Sequence, residues 1–244
     1  MPTDKPPVPS VWARQRPARR QPGLTQERIV SEAVRLLDEE GIEALSMRTL
    51  GTRLNAGATS IYRHVANKDE LIELVVDEVY GQISVPDADA SETWRDPVAT
   101  CAHSMRAMVL RHPWVVSVLG QVGLSEFGPN MMQQSERILA LFHAAGFAPG
   151  EADRAMSTLI AYVIGMATSE AAYLSLVARS GQTEQEWAES LEPTAEEATR
   201  EHPLLSEGYA ARRGDDPARL RDETFSYGLD RVLDGLAAVL PAPD

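Results

Sequence analysis

Residues 46–65 read SMRTLGTRLNAGATSIYRHV, and this stretch decides how the whole chain is interpreted. Its apolar residues recur at a spacing that lets two short helices pack together, and they are Leu50, Leu54, Ile61 and Val65. Gly51 is small enough for a close helix crossing. Residues 55–57, Asn-Ala-Gly, predict a tight turn because Asn and Gly both tolerate positive φ. The stretch therefore has the spacing of a helix-turn-helix.

The outer face of the second helix in this stretch carries polar residues suited to nucleic acid. They are Thr59, Ser60, Tyr62, Arg63 and His64. Side chains of these types hydrogen-bond to phosphates and to base edges in the major groove. We therefore predict that they bind DNA. An ordinary helical hairpin is the alternative, because short helix-turn-helix matches have many false positives.

Capping residues predict the helices around this motif. Thr25 begins a first helix that Gly41 ends, and Ser46 begins the second. Asn67 caps a fourth helix, with Glu70 at the position that completes a variant capping box. This fourth helix reaches about residue 82 and leads into the rest of the chain. We expect it to act as the lever between two domains.

The remainder of the chain is predicted to be helical as well. Residues 86–96 begin with Pro86 and contain three Asp, and they mark a boundary. Helical patterns follow at about 97–112, 113–123, 130–145, 151–179 and 222–240. Residues 182–219 are acidic and then rich in Pro and Gly, so we interpret them as a solvated, partly ordered excursion. The predicted fold is all-α, with a flexible arm at 1–24, a helix-turn-helix domain at 25–84 and a larger helical domain at 85–244.

Charge divides the chain in two. The formal net charge of -13 argues at first against nucleic acid, because a phosphate backbone rewards positive charge. Residues 1–68, however, hold 11 Lys and Arg against 7 Asp and Glu, whereas residues 69–244 hold 12 against 29. The positive part contains the helix-turn-helix. It also contains the Pro- and Arg-rich arm, which is either an inert leader or a segment that touches DNA.

The sequence lacks the motifs of common enzyme classes. It has no Gly-rich phosphate loop, no His-Glu-x-x-His zinc motif and no serine nucleophile elbow. Acidic pairs such as Asp38 and Glu39 indicate the solvated face of an amphipathic helix. Cys101 is the single cysteine, which excludes internal disulfides and a thiolate-built metal site. We therefore expect no enzyme activity, no cofactor and no metal.

A membrane association is not expected either. The longest apolar stretch is judged too short to cross a bilayer, and no charged-then-apolar segment opens the chain. A cytoplasmic location follows from this expectation.

Two segments carry a resemblance to a known family. Residues 33–54, AVRLLDEEGIEALSMRTLGTRL, and residues 60–71, SIYRHVANKDEL, resemble the DNA-binding domain of the tetracycline-repressor (TetR) family of bacterial transcriptional regulators. The resemblance implies that Tyr62 and His64 contact backbone phosphates, that Lys68 binds a phosphate and that Arg48 reaches the DNA. The chain departs from tetracycline repressors at two positions, where Arg63 replaces a Trp and Ala58 replaces a base-reading polar residue. These departures leave the operator sequence open.

The C-terminal part resembles the ligand-binding domain of the same family. The matching segments are WRDPV at 94–98, RHPW at 111–114 and FSYGLDRVLDGLAAVL at 225–240. The resemblance implies a homodimer in which helices 151–179 and 222–240 pair with their counterparts as a four-helix bundle. Two recognition helices would then lie about 34–36 Å apart, and the operator would be an inverted repeat. Small residues in 151–179 and the apolar last helix agree with this arrangement.

The family couples release from DNA to a small molecule held in the C-terminal domain. Our candidates for contact with this effector are His103, Met108, Trp114, Phe127, Met131, Met132, Tyr162, Met166, Glu170 and Tyr173. Met and aromatic residues form adaptable apolar pockets, although at helical spacing they also build ordinary cores. They favour an apolar or aromatic effector. Recognition of tetracycline in this family involves a metal-chelated ligand anchored by a His on the sixth helix. Residues 113–123 contain no His, so tetracycline itself is disfavoured.

Three functions therefore stay open. The first is a ligand-responsive repressor, the second is an activator of the same fold, and the third is a helical protein–protein adaptor that has lost DNA binding. Repression is the default because steric exclusion from a promoter needs no additional surface.

Overall fold

The computed structural model describes residues 24–88, 93–119 and 128–240, and within these ranges it contains helices and no strand. The α-helices are α1 (Gln26–Glu40), α2 (Met47–Arg53), α3 (Ala58–Tyr62), α4 (Lys68–Tyr80), α5 (Arg95–Arg111), α6 (Val115–Leu119), α7 (Pro129–Ala144), α8 (Pro149–Ser180), α9 (Glu184–Thr199), α10 (Pro203–Ala210) and α11 (Pro217–Ala237). The predicted all-α class is confirmed. The predicted arm at 1–24 lies almost entirely outside the described residues.

The chain divides into two compact units, Met1–Ser157 and Thr158–Asp244, and the division falls within α8. The first unit holds α1 to α7 and the start of α8. The second holds the rest of α8 and α9 to α11. The domain boundaries predicted after residues 24 and 84 stay predictions.

Helix α1 is capped at both ends by the residues from which its ends were predicted. The Thr25 hydroxyl accepts a hydrogen bond from the backbone N–H of Arg28 at 3.2 Å. Gly41 ends the helix with a φ of 79°, a conformation that favours glycine, and its N–H donates to the carbonyl of Leu37. The buried apolar face of the helix consists of Ile29, Val30, Ala33, Val34, Leu36 and Leu37. This face anchors the helix-turn-helix.

Helix α4 lies at the centre of the first unit and packs against both α1 and α7. Residues 70–77 along it are all buried. Asp77 accepts hydrogen bonds from the backbone N–H groups of Asn130 (3.3 Å) and Met131 (2.9 Å) in the first turn of α7. Gly128 precedes that turn, and a Cβ added there would collide with the Asp77 carboxylate. A polar joint therefore connects α4 to α7.

The interior of the first unit beyond α4 is aromatic and apolar. Phe147 meets Trp94 and Phe142 edge to face, with ring centroids 5.5 and 5.3 Å apart. Cys101 on α5 is fully buried, and burial raises the pKa of its thiol to about 12. A thiol of this kind is inert at neutral pH, which suits a structural role.

In the second unit, α8 and α11 make a close contact. The Tyr162 hydroxyl donates to the carbonyl of Phe225 at 2.6 Å, and a Cβ added at Gly228 would collide with the Tyr162 ring. The glycine in the motif FSYGLDRV is therefore explained by the approach of a tyrosine. Helix α11 also begins earlier than predicted, because Asp216 caps it and accepts from two backbone N–H groups.

The expectation of a partly ordered excursion at 182–219 is wrong, because this stretch forms α9, α10 and the start of α11. Helix α9 opens with a complete capping box between Thr183 and Glu186. Its glutamates are exposed or half-buried, which is compatible with a helix that is covered on one side only.

The expectation that no stretch is long enough to cross a bilayer is also wrong. By length and composition α8 meets that criterion, with an 18-residue window of mean hydropathy 1.4. Only 22% of that window is buried. The expectation failed because Glu170 shortens the uninterrupted apolar stretch, whereas the mean hydropathy of the helix stays high despite this one charge.

Candidate nucleic-acid interface and effector cavity

The helix-turn-helix is formed by α2, a tight turn and α3. Ser46 caps α2 by accepting from the backbone N–H of Thr49 at 3.0 Å. Asn55 has a φ of 51° and reverses the chain, as predicted. A Cβ added at Gly51 would lie 2.7 Å from the carbonyl oxygen of Ala56, so glycine is needed where the turn folds back against α2. Leu50, Ile61 and Val65 are fully buried and form their shared core.

The structure places the predicted DNA-binding residues at the surface of this motif. Thr59, Tyr62 and Arg63 are exposed, as are Arg48 and Lys68, whereas Ser60 and His64 are half-buried. Tyr62 is 52% exposed. An exposed tyrosine within a polar, basic surface can donate to a phosphate and stack its ring on a sugar.

The electrostatics of this surface are more favourable to DNA than the composition of the domain suggests. Residues 46–68 contain four basic residues and no Asp or Glu. Three of the four, Arg48, Arg63 and Lys68, make no ion pair in the part of the chain that the structure describes. Unpaired, exposed cations can replace condensed counterions on a phosphate backbone without first losing a protein partner.

The fourth basic residue has a different environment. Arg53 binds three carboxylates of α1, with N–O distances of 3.4 Å to Glu32, 2.5 Å to Glu39 and 2.6 Å to Glu40. The hydrogen bonds from Arg53 to Glu39 and Glu40, and the charges of these two carboxylates, raise the pKa of its guanidinium. Arg53 therefore clamps α2 to α1 and neutralises acidic residues that would otherwise repel DNA.

Two further contacts organise the ends of α3 and α4. The Gln26 side chain donates to the carbonyl of His64 at 3.4 Å. The Asn67 side chain caps α4 by accepting from the N–H of Glu70 at 2.7 Å, as predicted. The Glu70 carboxylate in turn accepts a hydrogen bond from the backbone N–H of Ala66, one residue before the cap. The variant capping box thus braces the turn between α3 and α4, beside Lys68.

The N-terminus of α1 adds a carboxylate to this neighbourhood. The pKa of Glu27 is lowered by its own backbone N–H in the first helical turn, then by the Thr25 hydroxyl, and also by the charge of His64. Glu27 therefore stays ionised near a histidine that we expect to contact phosphate.

A second polar joint lies at the other end of α1. The Asp38 carboxylate accepts from His112 Nδ1 and from Trp114 Nε1, each at 2.7 Å. Asp38 lies on the exposed face of α1, as predicted, and its carboxylate also reaches partners more than 70 residues away at the corner between α5 and α6. Its neighbour Glu39 pairs with Arg53.

The candidate effector residues of the first unit have different environments. His103 on α5 and Met132 on α7 are exposed, whereas Trp114 and Met131 are buried, as is Met108. The Trp114 indole is engaged with Asp38. Phe127 lies outside the described residues. Their roles toward an effector stay predictions.

The second unit contains a cavity of about 610 Å³ between α8, α9, α10 and α11. Met166, Glu170 and Tyr173 line it, so three candidates from α8 are brought together. Tyr162 lies on the same helix and bonds to α11. The volume is in the range of small-molecule sites.

Charged groups line much of this cavity, six carboxylates against three guanidinium groups. Arg221 pairs with Glu170 at 2.9 Å and with Glu184, and its guanidinium lies over the Tyr173 ring. Arg213 pairs with Glu196. Because the carboxylates outnumber the arginines, the lining stays acidic overall after these ion pairs have formed.

Sequence reasoning missed several residues that matter for these surfaces. Arg53, Asp38 and Arg221 act through partners distant in sequence, and no local pattern reveals such pairs. Gln134 on α7 is buried, and its Oε1 has no hydrogen-bond partner in the described residues. A Gln within an otherwise apolar helical face was the available signal.

Comparison with family models agrees with the helix-turn-helix geometry. The model described as "Bacterial regulatory proteins, tetR family" matches residues 29–75. The model described as "Tetracyclin repressor-like, C-terminal domain" matches residues 85–240. Together they extend over both parts of the chain.

Individual relatives match at nearly full length. A helix-turn-helix-type transcriptional regulator from Saccharopolyspora erythraea is 35% identical over 230 residues, which cover 94% of this chain and 92% of that protein. The transcriptional repressor DrrR1 from Streptomyces coeruleorubidus is 31% identical over 221 residues, covering 90% and 79%. The crystal structure of the Streptomyces coelicolor TetR family protein ActR in complex with actinorhodin matches with a TM-score of 0.73 and 30% identity, covering 89% and 97%.

Proposed function

The chain belongs to the tetracycline-repressor family of bacterial transcriptional regulators, and from this premise we propose that it represses transcription as a homodimer that a small molecule releases from DNA. It is a DNA-binding regulator with the helix-turn-helix fold of its family. The proposal concerns the operator, the dimer and the effector. An activator of the same fold remains the second candidate, but no surface of the described residues specifically favours it.

The observation that carries the DNA-binding surface is the set of unpaired cations on the helix-turn-helix. Arg48, Arg63 and Lys68 flank an exposed Tyr62 and are not neutralised by acidic residues. Phosphate contacts from such residues position the protein, and base contacts from α3 specify the sequence. An adaptor that had lost DNA binding would have no need to keep this surface free of carboxylates.

The exposed face of α8 supports the homodimer. Small and apolar residues follow one another along it every three or four positions, and these are Ala161, Gly165, Ser169, Ala172 and Leu176. No atom lies within 4 Å of a Cβ added at Gly165, so this face is open in the single chain. Because α8 is apolar and mostly unburied, a second copy of the chain is its simplest cover. The operator would then be an inverted repeat.

The cavity of the second unit supports an effector site that includes Met166, Glu170 and Tyr173. Its methionine and aromatic side chains favour an apolar or aromatic molecule. Its excess of carboxylates favours a neutral or cationic molecule over an anionic one. The ActR structure was solved in complex with actinorhodin, which supports a small-molecule effector for this chain as well. Binding of the effector would favour a dimer conformation in which the two recognition helices no longer fit the operator.

The remaining features of the proposal follow from the family. Its members are transcriptional regulators, and we propose that this chain has no catalytic activity of its own. Because bacterial DNA lies in the cytoplasm, the protein would act there without a membrane partner. The apolar α8 would then be covered by protein rather than lipid.

Operator binding of two variants tests the proposal. Operator affinity is measured by fluorescence anisotropy on the DNA upstream of the protein's own gene, at one fixed salt concentration. We expect Tyr62→Ala and His64→Ala each to weaken binding about tenfold, the loss for one phosphate hydrogen bond of roughly 1.4 kcal/mol.

Matched controls are Tyr209→Ala and His143→Ala, which remove an exposed tyrosine from α10 and an exposed histidine from α7. These controls should bind like the unmodified protein. If Tyr62→Ala and His64→Ala also bind like it, the recognition surface has been assigned wrongly.

A further inference from the structure

The cavity of the second unit contains an ionic triad whose charges do not balance. Arg221 of α11 pairs with Glu170 of α8, at an N–O distance of 2.9 Å, and with Glu184 at the start of α9. The side chains of Glu170, Glu184 and Arg221 are only 9%, 20% and 23% exposed. Two carboxylates therefore share one guanidinium in a place that is mostly removed from water, and the triad has an excess of negative charge.

Further along α9, the same wall of the cavity repeats this composition. Arg213 pairs with Glu196 at 2.6 Å and lies 3.7 Å from Glu192, so two carboxylates again share one guanidinium. Glu189 lies between the two groups in sequence and accepts a hydrogen bond from the Gln185 side chain at 2.8 Å. It has no basic partner within the part of the chain that the structure describes. The three glutamates line the cavity, which therefore has unbalanced negative charge along α9.

The wall between these charges is apolar and aromatic. Its apolar residues come from α8, α9 and α11, and they are Met166, Ala188, Leu191, Leu220 and Phe225. The Tyr173 ring also lines the cavity, and the Arg221 guanidinium lies 6.0 Å from its centroid. The face of an aromatic ring attracts cations, and an apolar wall with a few charged groups suits a ligand that has an apolar body and a localised charge.

These charges discriminate between ligands of opposite sign. An anionic ligand would bind Arg221 or Arg213 by displacing a glutamate, and a partly buried glutamate that has lost its cation is destabilising. A cationic ligand supplies the missing positive charge and leaves every one of these ion pairs intact. On the premise that this cavity is the effector site, we propose that its ligand is an organic cation with an apolar or aromatic body, bound by Glu170, Glu184 and Glu189.

Two probes of closely similar size and shape but opposite charge test the sign of the ligand. Tetraphenylphosphonium is a permanent aromatic cation, and tetraphenylborate is its anionic counterpart. Because both present the same apolar surface, a difference between their affinities reports the charge of the cavity. Binding to the full chain without DNA is measured by isothermal titration calorimetry in sodium buffer at neutral pH. We expect the cation to bind at least about tenfold more tightly than the anion.

Two substitutions locate the cation within the cavity. Glu189→Gln removes a carboxylate that has no basic partner among the described residues, and the new amide can still accept from Gln185. Glu170→Gln leaves Arg221 paired with Glu184 alone, so the excess charge of the triad is lost. We expect each variant to weaken tetraphenylphosphonium binding about tenfold and not to weaken tetraphenylborate binding.

The matched control for both variants is Glu197→Gln. Glu197 is an exposed carboxylate of the same helix α9 and lies outside the lining of the cavity. This control makes the same change in net charge, and it should bind both probes like the unmodified protein. Should Glu170→Gln fail to fold, Glu189→Gln still decides the matter because it alters an exposed side chain.

Release of DNA is measured separately, by fluorescence anisotropy of the labelled operator with each probe. We expect tetraphenylphosphonium to release the operator and tetraphenylborate not to release it. If the cation binds through Glu170 and Glu189 but leaves the operator bound, the cation site stands and the effector role proposed for this cavity is wrong.

Three results would overturn the cation site itself, whatever happens to the operator. They are equal or tighter binding of tetraphenylborate, no binding of tetraphenylphosphonium, and an affinity for the cation that neither Glu170→Gln nor Glu189→Gln lowers relative to Glu197→Gln. None of the three would affect the proposal that the helix-turn-helix binds an operator.

Discussion

At the scale of single residues, what separates a functional cation from a structural one is its partner. Arg53 and Lys68 are both basic residues of the helix-turn-helix region, and both could be assigned to DNA from sequence. Arg53 is held by three glutamates, whereas Lys68 is exposed and unpaired at the start of α4. Only Lys68 can bind a phosphate without first breaking an ion pair within the protein. The distinction depends on α1 and is invisible in the motif itself.

The first prediction concerns Lys68. Replacing it with Ala should weaken operator binding at all sequences alike, because a phosphate contact carries no base information. The slope of log affinity against log salt concentration should become shallower by about 1, the contribution of one neutralised phosphate. Arg154→Ala, which removes an exposed arginine paired with Glu151, should leave the slope unchanged. An unchanged slope for Lys68→Ala would mean that Lys68 does not contact DNA.

At the scale of elements, local signals were sufficient to predict the helix ends. Thr25, Ser46 and Asn67 cap their helices as predicted, because a cap depends only on a side chain and a backbone N–H three residues on. The turn at Asn55 was predictable for the same reason. These short-range rules account for the recognition motif and for most helix boundaries.

Long-range pairing could not be predicted in the same way. Asp38 resembles any other acidic residue on an amphipathic helix, and its partners His112 and Trp114 become neighbours only when α5 and α6 pack on α1. Helix α9 was missed because its acidic composition resembles that of disordered sequence, although the capping box at Thr183 was present. In both cases the deciding contacts lie on another element.

The joint between α4 and α7 gives the second prediction. Asp77 accepts from two backbone N–H groups of α7 and from the Asn130 side chain at 3.1 Å. Asp77→Asn would turn an NH₂ toward these donors and remove a charge from a helix N-terminus, so we expect a loss of about 2 kcal/mol of unfolding free energy. Gly128→Ala should also destabilise, because its Cβ collides with Asp77.

Urea unfolding followed by circular dichroism measures both variants. Glu78→Gln is the matched control, an exposed carboxylate next to Asp77 on the same helix, and should change stability by less than about 0.5 kcal/mol. If Asp77→Asn is as stable as this control, the joint contributes nothing to the fold.

At the scale of the whole molecule, the chain separates its charges by function. Acidic residues outnumber basic ones only beyond residue 68. Residues 46–68 contain no Asp or Glu. An acidic body repels DNA from every surface except the one meant to bind it, and it keeps a protein with a long apolar helix in solution. The net charge of -13 is therefore compatible with DNA binding.

The third prediction concerns the dimer, on which the proposed operator symmetry depends. Ala172 lies on the exposed face of α8 that we propose to pack against a second copy. Ala172→Arg would place a charge and a long side chain in that interface, where a buried unpaired charge costs several kcal/mol. We expect sedimentation velocity to show a monomer, and operator binding to be lost because a monomer reaches only one half of an inverted repeat. Ala178→Arg makes the same change on another exposed face of α8 and should remain dimeric and bind DNA. A dimeric Ala172→Arg protein that still binds the operator would move the interface away from this face of α8.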